Sequence, residues 1–366
     1  MADWLSSMQR TYEFYKVDPA TWKDEKLLTN ITSCTINWDL TAETLGSATI
    51  DMTESIEESY VRVYLVTIQN GVKEKRPLAT VLVQSPKVGF DGKVKNISAD
   101  AYTPLLELKE KKPPLGYTIM KNQNIMDAAY SLVEYNARAR VVPTKSDKKL
   151  NSNFIANVDD TYLILVTDLI RNAKYQLDLD EMGIIMFKPV QETAALQPVW
   201  EYNDDNSSIL QPDVTIDRDI YGIPNVVEVI YSNSDGSVRY FATAKNNDPN
   251  SPTSIKSRGR EILQRITDPG FTGVPSKEEV EEYTKKVLEE ASTVEYSVTY
   301  THGYCPVRIG DCVLLNYTRA GLKHIKAKVV SQSIKCDAAC QVSEKAVYTV
   351  ETMNNDFVEV TVNGIV

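Results

Sequence analysis

The stretch Tyr60-Val61-Arg62-Val63-Tyr64-Leu65, followed by Val66-Thr67-Ile68-Gln69-Asn70-Gly71, decides the fold class. Val61, Val63 and Leu65 alternate with Tyr60, Arg62 and Tyr64, which is the two-residue period of a strand. Asn70-Gly71 then supplies residues that tolerate the positive φ of a tight hairpin turn. Ala79, Val81 and Val83 alternate next, Asp91-Gly92 is a second hairpin signal, and residues 94–101 bring the chain back. Upstream, Ala48, Ile50 and Met52 alternate with polar neighbours. Residues 31–101 therefore read as a β-meander, and short strands with tight turns point to a barrel or sandwich.

Working outward, Lys109-Glu110-Lys111-Lys112-Pro113-Pro114 is a charged, proline-marked break, and the periodicity changes beyond it. Ile125, Ala128, Ala129, Leu132 and Val133 share a helical face. Asn124 can cap that helix, with Asp127 near its N-terminal dipole. A second helix is expected after Asp160, with Leu163, Val166, Leu169, Ile170 and Ala173 as its stripe. Tyr175-Gln176-Leu177-Asp178-Leu179 and residues 184–187 flank Asp180-Glu181-Met182-Gly183, which predicts a hairpin.

From Trp200 the strand pattern returns, first at Asn225-Val226-Val227-Glu228-Val229-Ile230-Tyr231. Residues 245–275 are loop-rich, with proline after Asp248, Ser251, Asp268 and Val274. Ser276-Lys277-Glu278-Glu279 is a capping box opening a helix with Val280, Tyr283, Val287, Leu288 and Ala291 on its buried face. The last section is again β: Val294, Tyr296, Val298 and Tyr300 alternate, as do Ile325, Ala327 and Val329. The expected fold is thus mainly β with an α+β insertion. Residues 1–110 form a first β-barrel and 111–200 the small α+β domain. Residues 201–245 with 292–366 form a second, similar barrel, and 246–291 a loop and helix connector.

The chain has 366 residues, with 40 Lys+Arg against 50 Asp+Glu and a formal charge of −10. That balance argues against a nucleic-acid binder working by phosphate neutralisation. A hydrophobic fraction of 42% excludes disorder, and there is core enough for several domains. Tyrosine is in excess, 20 against 7 Phe and 4 Trp, and it favours pleated, half-buried positions and wet interfaces. No apolar run approaches the ~20 residues of a membrane span, and Met1-Ala2-Asp3-Trp4-Leu5 does not open a secretory signal. The expectation is a soluble chain with no membrane partner, made in a cytosol. Five cysteines, Cys34, Cys305, Cys312, Cys336 and Cys340, do not form a disulfide framework at this length.

Chemistry-bearing motifs are sparse. There is no Gly-rich phosphate loop and no Gly-x-Ser-x-Gly elbow. His302 and His324 are the only histidines. Cys305 lies three residues from His302 without an evident orienting acid, and a buried thiol beside a loop histidine is the simpler reading. His302, Cys305, Cys312, His324, Cys336 and Cys340 resemble a zinc inventory, but neither Cys-x-x-Cys nor His-x-x-x-His spacing occurs. The glutamates of 278–290 are interspersed with lysines on a helix, a solvated face rather than a glycosidase pair. The expectation is a structural protein, not an enzyme, with no cofactor, no metal and no catalytic residues.

Several stretches together resemble the baseplate hub proteins of phage tails and contractile injection systems, the late control protein D family. They are His302-Gly303-Tyr304-Cys305-Pro306-Val307-Arg308-Ile309-Gly310-Asp311-Cys312-Val313, Ile223-Pro224-Asn225-Val226-Val227-Glu228-Val229, and Pro252-Thr253-Ser254-Ile255 with Gly259-Arg260. Residues 154–187 resemble the family's helix-plus-hairpin insertion. Asn225, Val227, Ser254, Gly259, Arg260, Pro306, Gly310 and Asp311 carry the motif positions. Residues 1–30 and the Cys305/Cys312 pair depart from the pattern.

The resemblance implies a homotrimer in which two tube-type barrels per chain make a pseudo-six-fold ring, a symmetry adaptor between hexameric tail tube and trimeric spike. Implied partners are the tail tube protein, a spike or tail-tip protein, baseplate wedge proteins and a tape measure protein, with genome DNA only passing through the lumen. The implied location is the tail baseplate of a virion or tail-like particle, assembled in the bacterial host cytoplasm. The alternatives are a tail-tip cell-wall hydrolase and a glycan-binding tail protein, for which Tyr117, Tyr130 and Tyr135 would stack on sugars.

Overall fold

Strand periodicity at Tyr60–Leu65 produces a strand buried on both faces, and the rest of the first unit explains why. A computed structural model describes residues 2–92, 94–205, 208–233, 238–267, 269, 271, 274–350 and 358–365. Contacts divide the chain into two compact units: Met1–Val214 with Thr299–Ala346, and Thr215–Val298 with Val347–Val366.

The first unit opens with seven strands: β1 (Gln9–Val17), β2 (Asp24–Leu28), β3 (Ile31–Asp39), β4 (Gly46–Met52), β5 (Ser59–Gln69), β6 (Val72–Asp91) and β7 (Val94–Tyr102). They pair antiparallel in the order β3-β4-β7-β6-β5-β1-β2. Asn70 and Gly71 sit at φ 51° and 79°, so the β5–β6 hairpin closes on the predicted turn. Residues 60–67 of β5 are all buried.

Next come α1 (Leu106–Glu110) and then, in the stretch 111–200 expected as an α+β insertion, β8 (Thr118–Ile119), α2 (Ile125–Asn136), β9 (Phe154–Ile155), α3 (Tyr162–Arg171), β10 (Tyr175–Leu179) and β11 (Ile185–Pro189). Asn124 caps α2 by accepting from the Met126 and Asp127 amides at 2.9 and 3.2 Å. As expected, α3 follows Asp160, and Thr161 caps it. β10 and β11 form the predicted hairpin, with Leu177 opposite Phe187.

The remaining elements are β12 (Pro198–Asn203), β13 (Leu210–Asp219), β14 (Val226–Ser232), β15 (Arg239–Asn246), α4 (Ile255–Arg258), β16 (Leu263–Ile266), α5 (Lys277–Ala291), β17 (Val294–Gly303), β18 (Cys312–Asn316), β19 (Ile325–Lys335), β20 (Gln341–Val350) and β21 (Val358–Ile365). In the first unit, β12 runs parallel to β18, β18 pairs antiparallel with β19, and β19 pairs antiparallel with β3 through Ile334 opposite Ile36. The expectation of closed barrels needs correction. Among the described residues the strand order is an open path from β13 to β2. The physical reason is that β19 occupies the free edge of β3, the edge on which the first meander would have closed.

The second unit holds a four-stranded sheet, β16-β14-β15-β21, with β16 parallel to β14. Helix α5 lays Val280 and Leu288 on Val227, Val229, Ala242 and Ala244 of that sheet. Its N-terminus carries the predicted capping box: Ser276 N donates to Glu279 at 2.7 Å and Glu279 N to Ser276 Oγ at 3.1 Å. Among the described residues no helix is long and apolar enough to cross a membrane.

Candidate functional site

The Pro306–Asp311 motif builds a turn whose purpose is to aim Arg308. Gly310 sits at φ 87°, a conformation that favours glycine. Asp311 Oδ2 accepts from the Arg308 amide at 2.9 Å, and the Gly310 amide donates to the Val329 carbonyl on β19 at 2.7 Å. So held, the Arg308 guanidinium reaches the β10–β11 turn. It donates to the Leu179 carbonyl at 2.8 Å and pairs with Glu181 at 2.6 Å. Burial works against its charge, but Glu181 and Asp178 outweigh that and raise its pKa. Burial likewise pushes the Asp311 carboxyl up, against the pull of the Arg308 amide.

The same turn is gripped from the other side by Arg62. This side chain is 1% exposed, and its guanidinium donates to Thr80 Oγ1 at 2.9 Å and to the Met182 carbonyl at 3.1 Å, and pairs with Asp24 at 2.7 Å. Trp22 Nε1 donates to the same Met182 carbonyl at 2.8 Å. Gly183, at φ 75°, packs so closely that a Cβ there would lie 3.0 Å from both Thr80 and Trp22. This is why the Tyr60/Arg62/Tyr64 face of β5 is buried: the insertion's turn covers it.

A third cluster surrounds Glu344. Its carboxylate meets His302 Nε2 at 3.2 Å and accepts from Tyr300 at 2.8 Å, Tyr202 at 3.2 Å, and Gln332. His302 Nδ1 faces the Gly303 carbonyl at 2.6 Å, a contact that requires a proton on that nitrogen. Burial alone would lower the His302 pKa; the Glu344 charge outweighs it and raises the pKa to about 10. Burial pushes Glu344 up, but His302 and the converging donors hold it below the ordinary carboxylate value. Cys305 Sγ lies 3.9 Å from His302 Nδ1. The sequence offered no orienting acid for this pair, and Glu344 fills that position. Its own signal was parity: Val342, Glu344 and Ala346 share the inward face of β20. Cys305, His302 and Glu344 are each at most 2% exposed, so the set is a polar core rather than an open catalytic face.

In the second unit the motif residues form another buried polar knot. Asn225 Oδ1 accepts from the Ile262 amide at 2.7 Å, and its Nδ2 donates to the Arg260 carbonyl at 3.0 Å. Val227 belongs to the α5-facing core. Ser254 caps α4, and Gly259 ends it at φ 65°. Arg260 contributes its carbonyl while its side chain is exposed. The guanidinium that acts here is Arg258, which donates to the Ile223 carbonyl at 2.8 Å and to that of Ile220.

All five cysteines are free and buried. The Cys336 amide donates to the Cys34 carbonyl at 2.9 Å across the β3–β19 seam, and Cys340 stands nearby. Among the described residues no group of three or more His, Cys, Asp or Glu could hold a metal ion, although His302 and Cys305 of the His/Cys inventory do meet at 3.9 Å.

No family model and no curated protein matches the chain. Solved structures do. A tail protein from Neisseria meningitidis MC58 superposes with TM-score 0.63 at 12% identity, covering 93% of this chain and 97% of the other. The 43 kDa tail protein of prophage MuSo2 from Shewanella oneidensis gives 0.60 at 13%, covering 94% and 99%. A chain of the Francisella PdpA-VgrG complex gives 0.56 at 10%, covering 94% of this chain and 53% of that one. Over more than nine-tenths of its length, the chain therefore has the fold of these tail proteins.

Proposed function

We propose that this chain is the structural baseplate hub of a phage tail or phage-tail-like contractile injection system, and not an enzyme. One observation carries the reading: the fold likeness spans 93% and 94% of this chain and nearly all of two tail proteins, one of them from a prophage. In this reading three chains form a homotrimer. Residues 1–110 serve as one tube-type part and residues 201–245 with 292–366, which contribute to both compact units, as the other, giving a pseudo-six-fold ring. The 111–200 domain is the insertion and 246–291 the connector. One end of the ring meets the hexameric tail tube, the other a trimeric spike or tail tip. Wedge and tape measure proteins are further partners.

The open sheet supports this reading, because among the described residues its path ends at β2 and β13, and sheet edges are where neighbouring subunits add. Three chains carry three times −10, a formal −30, which would repel DNA passing through a lumen if the acids face it. A neutral or basic lumen in the assembled ring would contradict that charge role. Electron microscopy of a particle containing the chain tests the hub reading. The expected position is the junction of tube and spike; density confined to the outer wall of the tail would overturn it.

A further inference from the structure

In the insertion, a groove of about 640 Å³ opens beside α2. Its walls are three tyrosines from three different places: Tyr117 before β8, Tyr135 on the last turn of α2, and Tyr162 at the start of α3. Asp127, Ser131 and Tyr135 are spaced four apart, so they form one ridge of α2 along the groove. Ala128 and Leu132, on the adjacent ridge, supply the apolar floor. Tyr135 is 82% exposed, a flat ring held in water by a helix anchored through buried Leu132 and Val133. Burial and the neighbouring Tyr162 push the Tyr117 hydroxyl pKa up, as expected where two of the walls meet. The side chains of Gln123 and Asp127 make no hydrogen bond or ion pair among the described residues, although both line the groove.

We propose that this groove is a binding site for a neutral oligosaccharide. A pyranose ring has C–H faces that lie flat on an aromatic ring and hydroxyls at its rim that donate to a carboxylate or carboxamide. Tyrosine platforms flanked by Asp127 and Gln123 match both requirements. No lysine or arginine is among the lining residues, and Lys111, at the rim, spends its ammonium on the Asn136 carbonyl at 2.5 Å, so a phosphate, nucleic acid or acidic peptide would meet Asp127 with no lining cation to offset it. A hydrophobic peptide anchor needs a sealed apolar pocket; these walls end in hydroxyls. The sequence pointed to Tyr117, Tyr130 and Tyr135. The groove keeps the first and last and takes Tyr162, while Tyr130 turns to Glu134 at 2.8 Å. The proposal stands apart from the hub reading, since it needs neither trimer nor tail.

The test uses the full chain on an array of neutral, sialylated and sulfated oligosaccharides, with titration calorimetry on each hit. The expected result is binding to a neutral oligosaccharide with a dissociation constant of about 1 mM or tighter. Tyr135→Ala, at an exposed position, should weaken that binding at least about tenfold with an unchanged melting temperature, and Tyr135→Trp should retain it. Tyr221→Ala, 95% exposed and outside the groove, should leave it unchanged. No neutral hit, hits confined to anionic glycans, or equal binding by Tyr135→Ala would each overturn the proposal.

Discussion

Arg308 donates to the Leu179 carbonyl at 2.8 Å across 129 residues of sequence. The Gly310-Asp311 turn fixes one end of this link, and the β10–β11 turn is the other. Arg62 grips that turn from the opposite side through Met182 at 3.1 Å. The insertion is thus tied to both β sections of the first unit by two arginines donating to backbone carbonyls.

Replacing Arg308 by Gln removes the Glu181 pair at 2.6 Å and leaves the Leu179 carbonyl without its donor. The expected cost is about 1–3 kcal/mol in urea unfolding. Hydrogen exchange should quicken at residues 179–184 while residues 225–231 keep their protection.

Two glycines separate backbone strain from crowding. Gly183 and Gly116 have φ of 75° and 76°, but only Gly183 has neighbours within reach of an added Cβ. Gly116→Ala should cost about 1 kcal/mol. Gly183→Ala should cost about 2–4 kcal/mol, because Thr80, Trp22 and Pro104 must also move. Equal losses in chemical denaturation would show that the turn is not tightly seated.

The His302–Glu344 pair gives a pH signature. The folded His302 pKa, about 10, exceeds the ordinary 6.5. Its contribution is therefore complete below about pH 6.5 and fades as pH rises toward 10. Glu344 is lowered, so its contribution is complete above its ordinary value of 4.5 and fades as pH falls below it. Melting temperature should peak between these limits. Glu344→Gln leaves a buried imidazole without its counter-charge, should cost about 3–5 kcal/mol at pH 6, and should flatten the alkaline fall.

Asn225→Ala strips the Ile262 amide of its acceptor and the Arg260 carbonyl of its donor. The expected cost is about 2 kcal/mol, with faster amide exchange at residues 260–263. A neutral result would mean that water replaces both bonds.

Local structure was legible because its causes are local. Asn70-Gly71 closes its hairpin, Asn124 caps α2, Ser276 and Glu279 make their box, and the 175–187 hairpin forms. Long-range pairing left no such mark. Nothing near Ile36 announces Ile334 as its partner, and the parallel pairs β12–β18 and β14–β16 join segments whose own periodicity does not name a neighbour. Side-chain roles were legible only in part. Gly310 and Asp311 form the turn that their residue types favour, whereas nothing in the sequence distinguishes Arg308 from the other arginines. Arg62 was placed on a face whose covering, the 180–183 turn, comes from 120 residues away.

The central claim is that the chain assembles as a three-fold hub. Mass photometry, or light scattering on the purified chain, measures this directly. A trimer of 41.1 kDa subunits, about 123 kDa, is predicted. A stable dimer, or a monomer that never assembles even with tube or spike protein present, would contradict it.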